Sequence, residues 1–498
     1  MKSEKKTFTA GDVVRRTAII ILCATMALLW GGYIGARLEA PQSENAGNFP
    51  AEHKWIFTSL HGAQEEPAID GLQITPVFIS LAESGKKKGC AYDDSLIKSV
   101  YANLRQYLTV LFSSKSVCRA VEGEEAEDMY MRAFDAGTNA FIMYDCEINS
   151  AAVSALNADS DLSVCDGSIG GANIRCIVIY VEQNGLLNAC ARDDSGNITL
   201  FTEKLPDHGY AFNKAVADEY NSNVGFCEFN FLYENTEDSK LFDGMPSDFP
   251  IVKTIKTSQK LLCAQPAERF AAYLDQTNAS SELLQDEYIK KILSCFYINP
   301  ILTKHYAADN SIIFADSSMS LAISPTGKLR YEAADGGIKI GTLIGSDSDK
   351  YSFAERVRAA SVIAASLPAG IFGGEASLRL RSITFDSASG CVFFQFSYYY
   401  NGIRLTQITG ENGPSVTVGI TDEKIMYLSA DMLSVNAAAD STTAIMPIRA
   451  AMVILRAENA SYSARGASLC YVLKQNGYMF SADWAFSKSD TENGRKVE

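Results

Sequence analysis

The sequence predicts an α+β protein in which one N-terminal transmembrane helix precedes a multidomain ectodomain of antiparallel sheets and packed helices. Three observations predict this class. Residues 17–35 contain no charged side chain, whereas the chain as a whole is 21% charged and carries a net charge of −15. Short apolar runs with strand or helical spacing alternate along the remainder. A chain of 498 residues is also too long for one ordinary core, so the exported part should contain two or three domains.

The uncharged segment from Thr17 to Gly35 has the length of a membrane span. At the rise of an α-helix it reaches roughly 28 Å, close to the hydrocarbon thickness of a bilayer, and the apolar core of a cleaved signal is only about 7–15 residues long. Basic residues dominate the chain before it, including Arg15 and Arg16. The positive-inside rule therefore predicts a single-pass cell-membrane protein with a cytoplasmic N-terminus and an extracytoplasmic C-terminus.

Small residues recur at intervals of four within this segment, at Ala27, Gly31 and Gly35. That spacing places them on one helix face, where the backbone of a second helix can approach closely. We therefore predict that these three residues form a transmembrane helix contact. The alternative is that glycine and alanine are simply frequent in membrane spans.

Periodicity and turn residues assign the main elements of the ectodomain. The predicted helices cover residues 95–112, 123–136, 267–274, 286–295, 353–367 and 443–455. The predicted strands include residues 72–81, 141–144, 175–182, 378–385, 391–400 and 415–420, with a closing pair of strands near the C-terminus. Pro368 is expected to end the fifth helix, because proline cannot continue the hydrogen-bond ladder.

Clusters of turn-forming residues, such as those at 244–248 and 345–349, suggest the domain boundaries. The prediction is a cytoplasmic tail (1–16), a transmembrane helix (17–36), an N-terminal α+β ectodomain (37–245), a middle α+β domain (246–348), a C-terminal α+β domain (349–490) and a tail (491–498). Two similar hairpins, at 323–331 and 420–427, suggest that the last two domains resemble each other. With the helix at 443–455, they predict PepSY-like units, unless the similarity of the hairpins is due to chance.

The acidic charge argues against a nucleic-acid partner. Twelve cysteines are many for an exported chain, but no two of them form a C-x-x-C element. Several lie within apolar runs, for example Cys176 and Cys391. Because a free cysteine behaves as a small hydrophobic residue, we predict buried, unpaired thiols, and disulfide pairing is the alternative.

Residue types that carry catalysis are sparse. The four histidines form no H-E-x-x-H motif, and neither a G-x-S-x-G elbow nor a phosphate-binding P-loop is present. Ser95 and Lys98 have the S-x-x-K spacing of penicillin-interacting enzymes, but no K-T-G motif follows. The neighbouring acids Asp193 and Asp194 are typical of a solvated surface. We therefore expect no catalytic, metal-binding or cofactor-binding residues.

Three local patterns resemble one family. The first runs from Phe296-Tyr297-Ile298-Asn299-Pro300 through Leu321-Ala322-Ile323 to Lys328-Leu329-Arg330-Tyr331. The second joins Val392-Phe393-Phe394-Gln395-Phe396 to Tyr400-Asn401-Gly402. The third is the closing Ser481-Ala482-Asp483-Trp484, in which serine replaces a usual proline and an aspartate is inserted. Together they resemble the YycH-type regulatory proteins of Gram-positive bacteria, and the related YycI proteins match mainly the C-terminal part.

The resemblance implies a non-enzymatic regulator. Such proteins act outside the membrane on the WalK-type (YycG) sensor histidine kinase that controls cell-wall metabolism, partly through their transmembrane helix. The implied partners are this kinase, a YycI-like protein and the membrane, and the family supplies no catalytic residues. Two alternatives stay open: an exported PepSY-like module that binds or inhibits a cell-wall or spore hydrolase, and an unrecognised wall or peptide hydrolase.

Overall fold

A computed structural model describes residues 74–488, except 114–115, 158–171, 204–206, 223–224, 254, 256–257, 265–285, 300–302, 309, 325–326, 335, 347, 349, 372–373, 387–388, 407–414, 459–463 and 474–478. The predicted membrane span, with Ala27, Gly31 and Gly35, lies outside this part of the chain, as does the predicted helix at 267–274. None of the helices described is both long and apolar enough to cross a membrane.

The first sheet of the described chain has seven strands, all paired antiparallel, in the order β2-β1-β4-β5-β6-β7-β3. Its strands are β1 (Phe78–Glu83), β2 (Lys86–Ala91), β3 (Val117–Val121), β4 (Thr138–Asn149), β5 (Asn173–Val181), β6 (Leu187–Arg192) and β7 (Ile198–Thr202). A short pair, β8 (Phe229–Phe231) and β9 (Pro250–Val252), follows it in the chain.

Both faces of this sheet are buried, which explains its continuous apolar runs. Successive side chains of a strand point to opposite faces. Accordingly, Phe141 packs into one core on one face, whereas its neighbour Ile142 packs into the other core. Val178 and Ile179 divide between the two cores in the same way.

Helices described in the chain cover these faces and link the sheets. They are α1 (Asp94–Leu111), α2 (Glu124–Asp135), α3 (Ser150–Asn157), α4 (Asp207–Ser222), α5 (Thr236–Leu241), α6 (Glu287–Cys295), α7 (Ile340–Ile344), α8 (Phe353–Ile371) and α9 (Ile448–Glu458). Asp93 caps α1 by accepting a hydrogen bond from the Leu96 amide. The apolar stripe of α1 is buried in the core that contains Ile142, which is the larger core of the two.

The second sheet contains fourteen strands of the described chain, and within this part of the chain its strands pair antiparallel except for the parallel pair β18–β22. Its strands are β10 (Ser258–Ala264), β11 (Lys304–Ala308), β12 (Ser311–Ala315), β13 (Met319–Ile323), β14 (Lys328–Ala333), β15 (Ile338–Lys339), β16 (Ser377–Asp386), β17 (Cys391–Tyr400), β18 (Ile403–Thr406), β19 (Val416–Ile420), β20 (Lys424–Asp431), β21 (Ser434–Thr443), β22 (Ala464–Leu473) and β23 (Met479–Lys488). The α+β class with antiparallel sheets and packed helices is thus confirmed.

The two similar hairpins lie side by side in this sheet. They are β13-β14 and β19-β20, and β14 pairs with β20 over the register Lys328↔Asp431 to Glu332↔Tyr427. Hydrogen bonds therefore join residues on both sides of the boundary predicted at 348/349. The predicted domain boundaries and the PepSY-like character of the C-terminal units stay predictions.

Helix α8 extends further than predicted. It continues past Pro368 to Ile371, so the prediction that Pro368 ends it was wrong. A proline removes one amide donor and crowds one preceding carbonyl, a local cost of roughly 3 kcal/mol that packing can offset. The preceding turns supply this packing, because Val357, Ile363 and Leu367 are buried in the larger core.

The cysteines whose side chains the structure describes are unpaired, in agreement with the predicted thiols. Nine are free, and five of these are buried: Cys90, Cys176, Cys190, Cys391 and Cys470. Burial raises the pKa of the Cys190 thiol to about 11, so this group is neutral at physiological pH. These cysteines act as small apolar core residues, and Cys118 is an exposed exception.

Candidate functional site

A polar cleft of about 450 Å³ opens where strands of the two large sheets meet. Strands β4, β5 and β6 contribute residues from the first sheet, and β16, β18, β22 and β23 contribute residues from the second. Among the described residues, four arginines line it: Arg175, Arg192, Arg381 and Arg404.

Irregular strand pairing directs residues into the cleft. Between β4 and β5 the register jumps from Met143↔Cys176 to Ile148↔Ile174, so β4 bulges over the residues that contain Asp145 and Cys146. Strand β16 has its own bulge between Leu380 and Ser382, which leaves Arg381 as the extra residue. The two bulges touch, because Cys146 Sγ donates to the Arg381 carbonyl oxygen at 3.0 Å. Bulges redirect side chains and occur preferentially next to functional sites.

Asp145 is the central carboxylate of the cleft, and its side chain is only 8% exposed. Its Oδ2 accepts a hydrogen bond from the Tyr399 hydroxyl at 2.6 Å and lies 3.7 Å from Arg404 Nε. Burial by itself would raise the pKa of Asp145. This effect of burial is outweighed by Arg404, by the Tyr399 hydroxyl and by the more distant Arg175 and Arg381, so the pKa of Asp145 lies below its usual range. Asp145 is therefore ionised at neutral pH.

A second buried carboxylate, Asp248, lies at another part of the cleft wall. Its side chain is 1% exposed, it accepts the Tyr130 hydroxyl at 2.5 Å, and it pairs with Arg192 Nη1 at 3.4 Å. Arg192 also faces the exposed Glu127 at 3.8 Å. Burial and the neighbouring Asp248 raise the pKa of the Tyr130 phenol well above its usual value, so the phenol keeps its proton and serves as a donor.

The loop between β6 and β7 forms the rim. Asp193 organises its turn, because its two carboxylate oxygens accept from the backbone and side-chain nitrogens of Asn197. Asp194 is 59% exposed and lies 3.7 Å from Arg175 Nε. Ion pairs with one exposed partner are strongly screened by water.

Arg404 is the most deeply placed of the four arginines, and only 9% of its surface is exposed. Its Nη2 donates to Cys470 Sγ at 3.5 Å, whereas its buried Nε makes no hydrogen bond. Two thiols, Cys146 and Cys176, also line the cleft. Burial raises the pKa of each well above its usual value, so both are protonated and weakly nucleophilic. The arrangement is suited to binding by hydrogen bonds and charge.

Of the residues considered as catalytic candidates from the sequence, Asp193 and Asp194 lie on the rim of the cleft, whereas Ser95 and Lys98 lie elsewhere. Ser95 Oγ donates to Asp93, and Lys98 pairs with Asp94, so each side chain of the S-x-x-K motif has an acidic partner of its own. In the part of the chain that is described, no group of three or more histidine, cysteine or acidic side chains could hold a metal ion.

Sequence reasoning missed the cleft arginines. One signal was available for two of them: Arg175 begins the apolar run of β5 and Arg192 ends that of β6, positions where a buried strand rarely carries an unpaired charge. Neither Arg381 nor Arg404 could be linked to the others without the pairing of the two sheets.

The residues that carry the family resemblance do meet in the structure. Phe296, at the start of the first pattern, stacks on Tyr331, at its end, with ring centroids 5.0 Å apart. In the second pattern, Asn401 and Gly402 have φ values of 47° and 79° and form a two-residue turn between the paired residues Tyr400 and Ile403. Positive φ at both central positions is typical of a type I′ turn, which favours Asn-Gly.

Comparison with known proteins gave one likeness of fold. No protein-family model matches the chain, and no curated protein matches it. The structure is similar to the crystal structure of YycH from Bacillus subtilis, with 11% sequence identity and a TM-score of 0.48. The similarity covers 85% of this chain and 95% of that chain. It concerns the same family that the sequence patterns resemble, and the proposals below rest on the residues of this chain.

Proposed function

We propose that the protein is a membrane-anchored, non-enzymatic regulator that contacts a sensor histidine kinase controlling cell-wall metabolism. The observation that supports this most is the packing of Phe296 against Tyr331, because it unites the two ends of the most extended family pattern. If the pattern matched the family only by chance, nothing would require its first and last residues to be in contact. The regulatory role itself is the one implied by the family.

The proposed anchor is the uncharged segment from Thr17 to Gly35, which would leave the folded part of the chain outside the membrane. Regulation would then pass partly through this helix. Ala27, Gly31 and Gly35 are the proposed contact, because small residues on one face allow two helices to approach closely.

Affinity capture of the full-length protein from its native membrane, after crosslinking, tests this proposal. The test variant carries Ala27→Leu, Gly31→Leu and Gly35→Leu, which would fill the proposed contact face with bulky side chains. The matched control carries Ala18→Leu and Gly32→Leu, small-to-large changes on other faces of the same predicted helix.

The proposal expects a sensor histidine kinase to be captured with the native protein and the control, and lost with the test variant. Equal capture of the kinase by all three proteins would refute the transmembrane contact. Recovery of a cell-wall hydrolase in place of a kinase, indifferent to these changes, would favour the exported inhibitor or binding module over the regulator.

A further inference from the structure

Strand β3 forms one end of the first sheet. Within the described chain it pairs with β7 alone, over the register Val117↔Thr202 to Val121↔Ile198, and this register has no bulge. Residues 117–120 are all exposed, and Val117 is 48% exposed. Proteins commonly protect the edge of a sheet with proline, lysine or a bulge, and β3 has none of the three.

The hydrogen-bond pattern of the sheet identifies the backbone groups at this edge. The Glu203 amide donates to the Leu187 carbonyl oxygen, so the odd-numbered residues of β7 bond to β6. Successive residues of an antiparallel strand direct their backbone groups to opposite sides, so the even-numbered residues of β7 bond to β3. Their partners are the odd-numbered residues of β3. The N–H and C=O groups of Cys118 and Ala120 therefore point outward from the sheet, and no backbone group of the described chain bonds to them there.

The chain directly after β3 is strongly acidic. Residues 122–128 include five exposed acidic side chains, which are Glu122, Glu124, Glu125, Glu127 and Asp128. The Glu125 side chain is 62% exposed and lies 3.8 Å from Arg119. The Glu127 side chain is 51% exposed and lies 3.8 Å from Arg192. Both distances exceed hydrogen-bond length, and exposed ion pairs are screened by water, so this negative charge is available to a cationic partner.

A second copy of this chain is a poor occupant of the edge. The antiparallel register that uses both Cys118 and Ala120 of each copy would place Arg119 directly opposite the same arginine, and like charges in that position are destabilising. It would also bring together two acidic segments of a chain whose net charge is −15. A basic occupant would instead complement the acids that follow β3.

We propose that the outer edge of β3 binds an extended basic segment of a partner protein, which adds a strand to the first sheet. In this mode of recognition, backbone hydrogen bonds supply affinity and alternate side chains supply specificity. The inference concerns the folded part of the chain and does not depend on the proposed contact with a kinase through the transmembrane helix.

The side chains at the edge define the pattern of the added segment. All strand pairs of this sheet in the described chain are antiparallel, and an antiparallel addition continues that ladder. Residues opposite Cys118 and Ala120 would lie beside small side chains, which leaves room for β-branched residues. The residue between them would face Arg119 and should be neutral. Basic residues are expected at the N-terminal end of the segment, which would lie beside Glu122 and the start of α2.

Fluorescence anisotropy of labelled hexapeptides with the full-length protein in detergent tests the proposal. The probe is Lys-Lys-Val-Thr-Val-Thr, and Glu-Glu-Val-Thr-Val-Thr is its charge-reversed control. Two further versions of the probe carry N-methyl groups, either on both valines, whose amides would bond to β3, or on both threonines, whose amides would point away from it. N-methylation removes a backbone donor, so this pair separates strand addition from attraction by charge alone.

Variants of the protein test the same edge from the other side. Ala120→Pro removes one outward amide donor, a change that an edge strand tolerates, and Ala120→Val is its control because it keeps that donor. A double variant, Glu122→Gln with Glu125→Gln, removes two charges beside the edge. The matched control is Glu228→Gln with Glu237→Gln, which removes two charges from side chains that are 84% and 83% exposed and follow the first sheet in the chain.

We expect the basic probe to bind, and the acidic peptide to bind about tenfold more weakly or worse. Methylation of the valines and Ala120→Pro should each weaken the probe by about tenfold through lost backbone hydrogen bonds, whereas methylation of the threonines and Ala120→Val should stay within about twofold. The double variant beside the edge should weaken the probe by about threefold or more, and its control by less than about twofold.

Absence of binding of the basic probe up to about 1 mM would overturn the proposal. Equal affinity of the two methylated peptides would overturn it as well, because binding would then not use the backbone of β3. These peptides act on the native protein, so this part of the test does not require the variants to fold. Native unfolding midpoints of the variants confirm that they are folded.

Discussion

Asp145 shows how a single buried side chain can organise a junction between two sheets. It comes from a bulge in β4, whereas its partners Tyr399 and Arg404 come from β17 and β18. A buried carboxylate is tolerated only when its charge and lone pairs are matched, and these two residues supply a cation and a hydroxyl donor. The same residue therefore serves both stability and the electrostatics of the cleft.

Replacing Asp145 by asparagine should destabilise the protein strongly. Asp145→Asn leaves Arg404 buried without its carboxylate, and breaking a buried pair in this way costs roughly 3–5 kcal/mol of unfolding free energy. The control Asp194→Asn, at a 59% exposed position, should cost less than about 1 kcal/mol. Chemical denaturation of the full chain at neutral pH measures both values.

The pH dependence of this effect has a defined sign. Folding lowers the pKa of Asp145, so its contribution is fully present above the unfolded value of about 4 and is lost as the pH falls through the folded value. The stability gap between the native protein and Asp145→Asn should be constant near neutral pH and shrink below about pH 4. A gap that is small at neutral pH, or that grows on acidification, would contradict the buried-pair interpretation.

At the level of elements, the sequence was most informative where the signal was local. The strand predicted at 391–400 was exact, and the helix predicted at 95–112 is observed at Asp94–Leu111, because apolar spacing and a capping aspartate act within a few residues. The helix end at Pro368 was wrong because tertiary packing of α8 overrides a local breaker.

The residue that follows α6 packs against the hairpin β13-β14, and the contribution of this contact to the free energy of unfolding can be measured. Phe296, 3% exposed, follows α6 and stacks on Tyr331 of β14. Phe296→Ala should lower the free energy of unfolding by about 3–5 kcal/mol, through lost burial and the cavity left behind. The control Tyr306→Ala, at a 49% exposed position of β11 in the same sheet, should change it by less than about 1 kcal/mol. Similar losses for both variants in denaturant unfolding would show that the stacked pair has no special role.

At the scale of the whole molecule, the two large sheets are joined by contacts between distant parts of the chain. Arg379 of β16 pairs with Asp94 at the start of α1, 285 residues away in sequence. The Tyr399–Asp145 and Cys146–Arg381 hydrogen bonds span 254 and 235 residues. No local sequence pattern predicts such contacts. Most of the strands that form the cleft could therefore be predicted from the sequence, whereas the cleft itself could not.

At this scale we propose that the protein regulates a sensor kinase by contact. The most direct measurement is the autophosphorylation rate of the captured kinase in lipid nanodiscs, alone, with the full chain, and with the Ala27→Leu, Gly31→Leu, Gly35→Leu variant. We expect the native chain to change the rate by about fivefold or more, a coupling of roughly 1 kcal/mol, and the variant to have little effect. A rate that is the same with and without the native chain would contradict the claim.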